Sequence, residues 1–363
     1  MPEAFDLEQY LARGVEDIVK GILKASLSNP RESAFLARYA LFSRRSAERR
    51  LQAEEKGEHI PPFLIASITT RCNLRCAGCY AWANNACGDY DAVGQLSDGE
   101  WQRVFEEAAE LGVGFILLAG GEPMLRKGVL EAAGKIPGIL FPVFTNATLI
   151  DSAYVERLDR YRNLIPILSI EGDEAQTDER RGAGVYRQLM QSAALLKENG
   201  ILFGASVTVT RMNLQAVTSA AFLDELRERG FRAIIYVDYV PVDGGKVHLA
   251  PEEPERAYLA VRLDALRAGY GDLLFIAFPG DELSSGGCLA AGRGFFHINA
   301  FGGAEPCPFS PYSDVNVREA SLREALKSRL FTLLQSGQLL TEDHAGGCVL
   351  FQHRETVQNL LNG

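Results

Sequence analysis

An α/β fold assembled from parallel βα units is what this sequence predicts, and three observations predict it. Between Phe63 and Val242, short apolar runs alternate with longer amphipathic ones. The short runs, such as GFILLAG and RAIIYV, are apolar on both faces, as strands buried between two layers must be. The longer runs carry helix signals: Ser97 and Glu100 stand in capping-box spacing, Asp151 opens one segment, and Gly200 closes another. A barrel and a doubly wound sheet both satisfy this pattern.

The elements follow in order. Residues 1–60 read as helical, with Leu7, Leu11, Val15, Ile18, Ile22 and Leu23 at helical spacing. A second helix takes Asn29 as its cap and Pro30 as its first residue, and ends near Gly57, ahead of Pro61 and Pro62. Its arginines (Arg38, Arg44, Arg45, Arg49, Arg50) are expected to form a solvated face. The predicted strands are FLIASITT, GFILLAG, LFPVFTNAT, LIPILSIEG, LFGASVTVTR and RAIIYVDYVPV, with a helix after each of the first five. After Val242 the alternation stops. One helix follows, then a Gly-rich stretch holding Cys288, Cys307 and Cys348. The expected division is 1–60, 61–245 and 246–363.

Composition narrows the function. The chain has 363 residues, 47% of them hydrophobic, and a net charge of -10, which argues against a general nucleic-acid binder. The N-terminus lacks the apolar core of a signal peptide, and no apolar run is long enough for a membrane span, so a cytoplasmic protein is expected. The seven cysteines are clustered, which in a reducing compartment favours metal or redox chemistry over disulfides.

In TTRCNLRCAGCY, Cys72, Cys76 and Cys79 follow the first predicted strand, at the end where βα architectures place their chemistry. Thiolates select zinc, Cu(I) or iron–sulfur clusters. Cys87, eight residues beyond Cys79, would complete a four-cysteine zinc site in a non-catalytic binding module. A [4Fe–4S] cluster held by only three thiolates, with one iron open, is the alternative, and spacing alone does not choose. After the second strand, Gly120 and Gly121 precede Glu122 and Pro123, where the absence of Cβ atoms opens a backbone edge to a ligand.

CxxxCxxC after the first strand and GGEP after the second resemble the radical S-adenosylmethionine (SAM) enzymes. FTNAT resembles that family's third-strand element, with Ala147 for Gly. LSIEGDEAQTDERRG resembles the fourth-strand element SxDG…HDxxRG: it keeps Ser169, Gly172, Asp178, Arg181 and Gly182, but has Glu171 for Asp and Thr177 for His. VTVTRMN and VDYVPV resemble the fifth and sixth. The resemblance covers roughly residues 63–242 and implies a partial (βα)6 TIM-like barrel. It implies that Cys72, Cys76 and Cys79 hold a [4Fe–4S] cluster whose open iron takes SAM. It places Gly120, Gly121, Glu122 and Pro123 along the methionine amino group, and Ser169 and Arg181 at the ribose or carboxylate. Val240 lies at the adenine, and Asn146 and Thr208 belong to the same cofactor-binding set. The family usually has an aromatic residue before the third cysteine, packed on adenine. Here that residue is Gly78, and Tyr80 is the expected substitute.

Cys288 and Cys307 flank FFHINAFGG in the pattern C-x13-G-x4-C, which reads as a hairpin able to bring two thiols together. Two buried core cysteines explain that segment equally well. It also resembles the start of the Twitch and SPASM extensions of radical SAM enzymes, and HAGGCVLF resembles the end of the SPASM pattern. That resemblance implies a small α+β C-terminal domain with an auxiliary iron–sulfur cluster on Cys288, Cys307 and Cys348. A fourth ligand is sought among His344, His353, Cys87 and the substrate. His297 is expected to be an ordinary packed or surface histidine. The family further implies a peptide, protein or small-molecule substrate and a small electron donor such as flavodoxin or ferredoxin.

Overall fold

The computed structural model describes residues 30–242, 244–279, 286–341 and 348–362. The segment from Leu7 to Leu23 and the Asn29 cap lie outside the described residues. The described chain opens with α1 (Pro30–Glu54), followed by β1 (Phe63–Ser67), the single turn α2 (Tyr80–Ala83), α3 (Asp98–Leu111) and β2 (Phe115–Ala119). Then come α4 (Lys127–Gly134), β3 (Phe141–Thr145), α5 (Ser152–Arg160), β4 (Leu164–Ser169), α6 (Glu174–Arg181), α7 (Val185–Glu198) and β5 (Gly204–Val209). The short α8 (Leu214–Val217) and α9 (Ala220–Glu228) lead to β6 (Ala233–Asp238). Ser97 and Glu100 form the expected capping box at α3, and the Asp151 side chain caps α5.

The alternation does not stop at β6. Helix α10 (Glu253–Gly269) returns the chain to β7 (Leu274–Phe278), which pairs parallel with β6 from Ala233↔Leu274 to Val237↔Phe278. In the sequence this helix shows only the narrow stripe Leu259, Leu263 and Leu266, which hid the βα unit it belongs to. The predicted hairpin forms from β8 (His297–Ile298) and β9 (Ala304–Glu305), antiparallel to each other. It does not build a separate sheet. β8 joins the outer edge of β1 in parallel, giving one curled half-barrel of order β7-β6-β5-β4-β3-β2-β1-β8-β9. The described chain ends in short helices α11 (Leu322–Leu326), α12 (Arg329–Ser336), α13 (Val349–Gln352) and α14 (Arg354–Asn362).

Helix α1 explains which end of the half-barrel is open. Its Leu36 and Tyr39, both fully buried, pack with Phe115, Leu140, Ile165 and Ile167, residues at or near the beginnings of β2, β3 and β4. The Tyr39 hydroxyl donates to the Gly114 carbonyl at 2.8 Å. The arginine face is only partly solvated. Arg50 is buried and donates to the Gly112 carbonyl at 2.5 Å, and Arg49 donates to the Ala109 carbonyl at 2.8 Å. Both satisfy carbonyls at the C-terminal end of α3, where the helix dipole favours a cation. With the strand beginnings plugged, the strand ends remain for chemistry. Among the described residues, no helix is long and apolar enough to cross a membrane.

Candidate active site

The loop after β1 is held against the loop after β2. Gly121 N–H donates to the Thr69 carbonyl (2.9 Å), and Glu122 N–H to the Arg71 carbonyl (2.8 Å). A Cβ on Gly121 would stand 2.1 Å from the Arg71 oxygen, and one on Gly120, where φ is +117°, would stand 2.5 Å from the Thr69 oxygen. These glycines therefore admit the cysteine-bearing loop itself. The Glu122 carboxylate is buried and fully committed. It accepts from Met124 N–H (3.0 Å), the Thr145 hydroxyl (2.7 Å) and Asn146 N–H (2.8 Å). Glu122 is thus a brace between the ends of β2 and β3, with buried Pro123 starting the turn it caps. Asn146 reaches back to the cysteine loop, donating to the Asn73 side chain at 2.9 Å, and Ala147 beside it adopts φ +65°.

Cys72, Cys76 and Cys79 are half-buried along this loop, and Cys87 is buried beside them. The loop is pinned from α6: Ala77 N–H donates to the Arg180 carbonyl (2.8 Å), and Arg180 Nε donates to the Ala77 carbonyl (3.1 Å). Burial pushes the Cys72 thiol up to about 12 and also raises Cys76. Cys79 goes the other way, held down by a hydrogen bond from Cys87. The Tyr80 ring lies edge-on to Phe309, with centroids 5.2 Å apart. The aromatic beside Gly78 is Tyr239, just past the end of β6. A Cβ on Gly78 would be 2.7 Å from that ring. Nothing in the sequence linked these two positions, because the contact joins the first and sixth βα units.

Across the mouth, Glu171 is 3% exposed. Its Oε1 accepts from Arg180 Nη1 at 2.6 Å and from Arg181 Nε at 3.0 Å, with a further bond from Arg181 Nη2. Its Oε2 is buried with no protein partner. A buried carboxylate oxygen without a donor is costly, and such an atom at the mouth of a half-barrel marks where a ligand donor belongs. Glu171 was missed as a site residue; its signal was its place in SIEG, where the family pattern has Asp. Ser169 stands two residues before it on β4, its hydroxyl 3.2 Å from that of Ser206 on β5. Thr208 is partly exposed further along β5, its carbonyl accepting from Asn213 at 2.9 Å. Val240 is buried, and its carbonyl is taken by Val242 N–H at 2.9 Å.

The second cysteine set also gathers. The thiols of Cys307 and Cys348 hydrogen-bond to each other, and Cys288 lies within electrostatic reach of Cys307. That bond lowers Cys348, while burial raises Cys307. Tyr80 feels Cys79, Cys87 and Cys307 together, so it stands between the two sets. Cys87 pairs with Cys79, not across to the second set. His353 is exposed, and His344 lies outside the described residues. His297 is not a surface histidine. It is buried, with Nδ1 2.7 Å from Glu305 Oε2 and Nε2 2.8 Å from Ser67 Oγ, while Asn299 donates to the other Glu305 oxygen at 2.5 Å. This network fastens β8 and β9 to β1.

Among the described residues, no three His, Cys, Asp or Glu side chains converge as ligands to a single ion would. Thiolates that hold an iron–sulfur cluster instead take separate irons, and the soft donor set fits such a group. Residues 66–227 match the family described as the radical SAM superfamily. The chain is 26% identical over 291 residues to the AdoMet-dependent heme synthase of Methanosarcina barkeri (strain Fusaro / DSM 804), an alignment covering 72% of this chain and 81% of the relative. It is 32% identical over 160 residues to the PqqA peptide cyclase of Granulibacter bethesdensis (strain ATCC BAA-1260 / CGDNIH1), covering 43% of this chain and 42% of the cyclase. Several other curated relatives are matched over less than half of their own length. Among solved structures, Streptococcus suis SuiB bound to precursor peptide SuiA shares the fold, with a TM-score of 0.65 at 20% identity, covering 81% of this chain and 70% of SuiB.

Proposed function

Starting from a chain that belongs to the radical SAM superfamily and is an enzyme of that class, we propose that it modifies a peptide or protein by hydrogen-atom abstraction. When bound, a [4Fe–4S] cluster and SAM supply an electron transfer that breaks the S–C5′ bond and yields a 5′-deoxyadenosyl radical. Cys72, Cys76 and Cys79 would hold that cluster. Family membership favours an enzyme over a non-catalytic zinc module, and on this reading Cys87 is not needed as a ligand. The observation that carries the cofactor reading is Glu171 Oε2, a buried acceptor beside Ser169 and Arg181 that a SAM hydroxyl or ammonium would satisfy. Arg180 and Arg181 hold the other oxygen and so fix the carboxylate's direction. Tyr239, packed on Gly78, offers an apolar ring face at the same mouth, with Val240 beside it. Cys288, Cys307 and Cys348 would hold an auxiliary iron–sulfur cluster in the part of the chain from residue 246 onward. Flavodoxin or ferredoxin is the expected reductant.

The test is anaerobic reconstitution. Dithionite and SAM should then release 5′-deoxyadenosine, with about eight irons per chain if both sites fill and about four if one does. Changing Cys288 and Cys307 to Ala should halve the iron and leave SAM cleavage. Zinc without iron–sulfur absorbance would sink the proposal. A haem-forming reaction is the second reading, supported by the alignment with the heme synthase over 72% of this chain, against 43% for the cyclase. Titration with an iron porphyrin tests it: a shifted Soret band at stoichiometric binding favours the haem-forming reading, and an unshifted band removes it.

A further inference from the structure

At the end of the half-barrel opposite the cysteine loop, a cavity of about 400 Å³ opens between α1 and the last residues of α4 and α5. Ligand pockets ordinarily measure about 300–1,000 Å³, so it has room for a small molecule. Four arginines line it: Arg31 and Arg38 on α1, and Arg160 and Arg162 at the end of α5. In a chain of net charge -10, such a gathering of like charge calls for a reason. Two of the four are answered by carboxylates. Arg162 is bonded to Glu32 and Asp159 and also donates to the Gly200 carbonyl at 2.9 Å, and Arg31 lies 3.5 Å from Asp159. Arg38 and Arg160 make no ion pair or hydrogen bond among the described residues.

The surface between the arginines is apolar and fixed. Phe35 stacks on Tyr39, ring centroids 6.4 Å apart, and is so anchored to the plug. Tyr161 lies on Gly134, where a Cβ would stand 2.4 Å from its ring. Asn163, 2% exposed, donates its amide to the Ala133, Ile136 and Ile139 carbonyls, at 3.1, 3.0 and 3.3 Å. That amide is therefore satisfied within the protein. What the cavity offers a guest is two aromatic rings and two uncommitted guanidiniums.

We propose that this cavity is a binding site for a small organic phosphate, its dianion held by Arg38 and Arg160 and its apolar part lying against Phe35 and Tyr161. A guanidinium presents paired donors that match the oxygens of a phosphate, which gives direction as well as attraction. No carboxylate, histidine or thiol lines the cavity, so the occupant is held there and not converted. The site stands apart from the mouth where the cofactor residues gather, on the far side of the plug.

The probe is phenyl phosphate, titrated calorimetrically into full-length protein reconstituted anaerobically. One saturable site is expected. Affinity should fall at least about tenfold in the Arg38→Ala/Arg160→Ala double variant, which loses both charge-assisted donors. Ala34→Phe, which fills the cavity from α1 and leaves every charge in place, should weaken binding too. Arg45→Ala, on an exposed part of the same helix outside the cavity, should bind like wild type, and phenol, which lacks the phosphate, should not bind. Thermal unfolding of each variant without ligand checks that it folds. No saturable binding to wild type, or wild-type affinity in the double variant or in Ala34→Phe, would overturn the inference. An equal loss in Arg45→Ala would overturn it as well, by reducing the effect to general charge attraction, and so would phenol binding as tightly as phenyl phosphate.

Discussion

At the scale of single residues, Glu171 and Asp238 both keep a carboxyl in a place where water is nearly absent, with opposite solutions. Glu171 is paired: three arginine donors fall on one oxygen and none on the other. Glu171→Gln keeps the shape but removes the charge that a cationic cofactor would meet. A hydrogen bond to a charged group is worth about 1.5–3 kcal/mol, so SAM should bind roughly 10- to 100-fold more weakly, with iron content unchanged. Equilibrium dialysis with SAM checks this. Asp238 ends β6 at 6% exposure, and burial, opposed only in part by Arg256, raises its carboxyl to about 6. The folded state therefore binds this proton more tightly than the unfolded chain. The stabilisation is fully present below about pH 4 and is lost as pH rises through 6, a difference of about 3 kcal/mol. Asp238→Asn should remove that part of the slope and be more stable than wild type at pH 8, as urea unfolding at pH 5 and pH 8 would show.

At the scale of elements, α1 decides which end of the half-barrel can react. Its Tyr39 is fully buried among the first residues of several strands and bonded to the Gly114 carbonyl. Truncating a large buried aromatic side chain costs about 3–5 kcal/mol. Tyr39→Ala should lose that much in denaturant unfolding, because the cavity would lie where β2, β3 and β4 begin. Arg49 and Arg50 show how a sequence pattern misleads at this scale. A run of arginines on one helix reads as solvated, but two of them reach the orphan carbonyls of α3, a helix more than forty residues away in the chain. That contact has no local signature. The cysteine loop and the glycines after β2 were legible, since motif and strand end coincide. The reason for the glycines was not: it is a backbone-to-backbone contact between two loops.

At the scale of the whole molecule, the parallel βα architecture was legible because both-face apolar strands alternate with capped helices. The seventh strand was not, since α10 shows too narrow an apolar stripe and follows a proline-rich turn. The role of His297 was equally hidden. A histidine on an alternating strand looks ordinary until Ser67, 230 residues earlier, and Glu305 are seen on either side of its ring. Gly78 and Tyr239 make the same point for the candidate site. The sequence showed an absence beside the third cysteine, and only the fold brings the ring that stands there.

The way β8 joins β1 has a consequence for synthesis. β1 is the first strand of the sheet to leave the ribosome, and its partner on one side, β2, follows soon after. Its other partner, at His297 and Ile298, is made more than two hundred residues later. Until then the nascent chain carries an apolar strand with one bare edge, the kind of edge that pairs with neighbouring chains. A chain cut before residue 297 should therefore aggregate more readily than one that includes β8, which light scattering of the two would show.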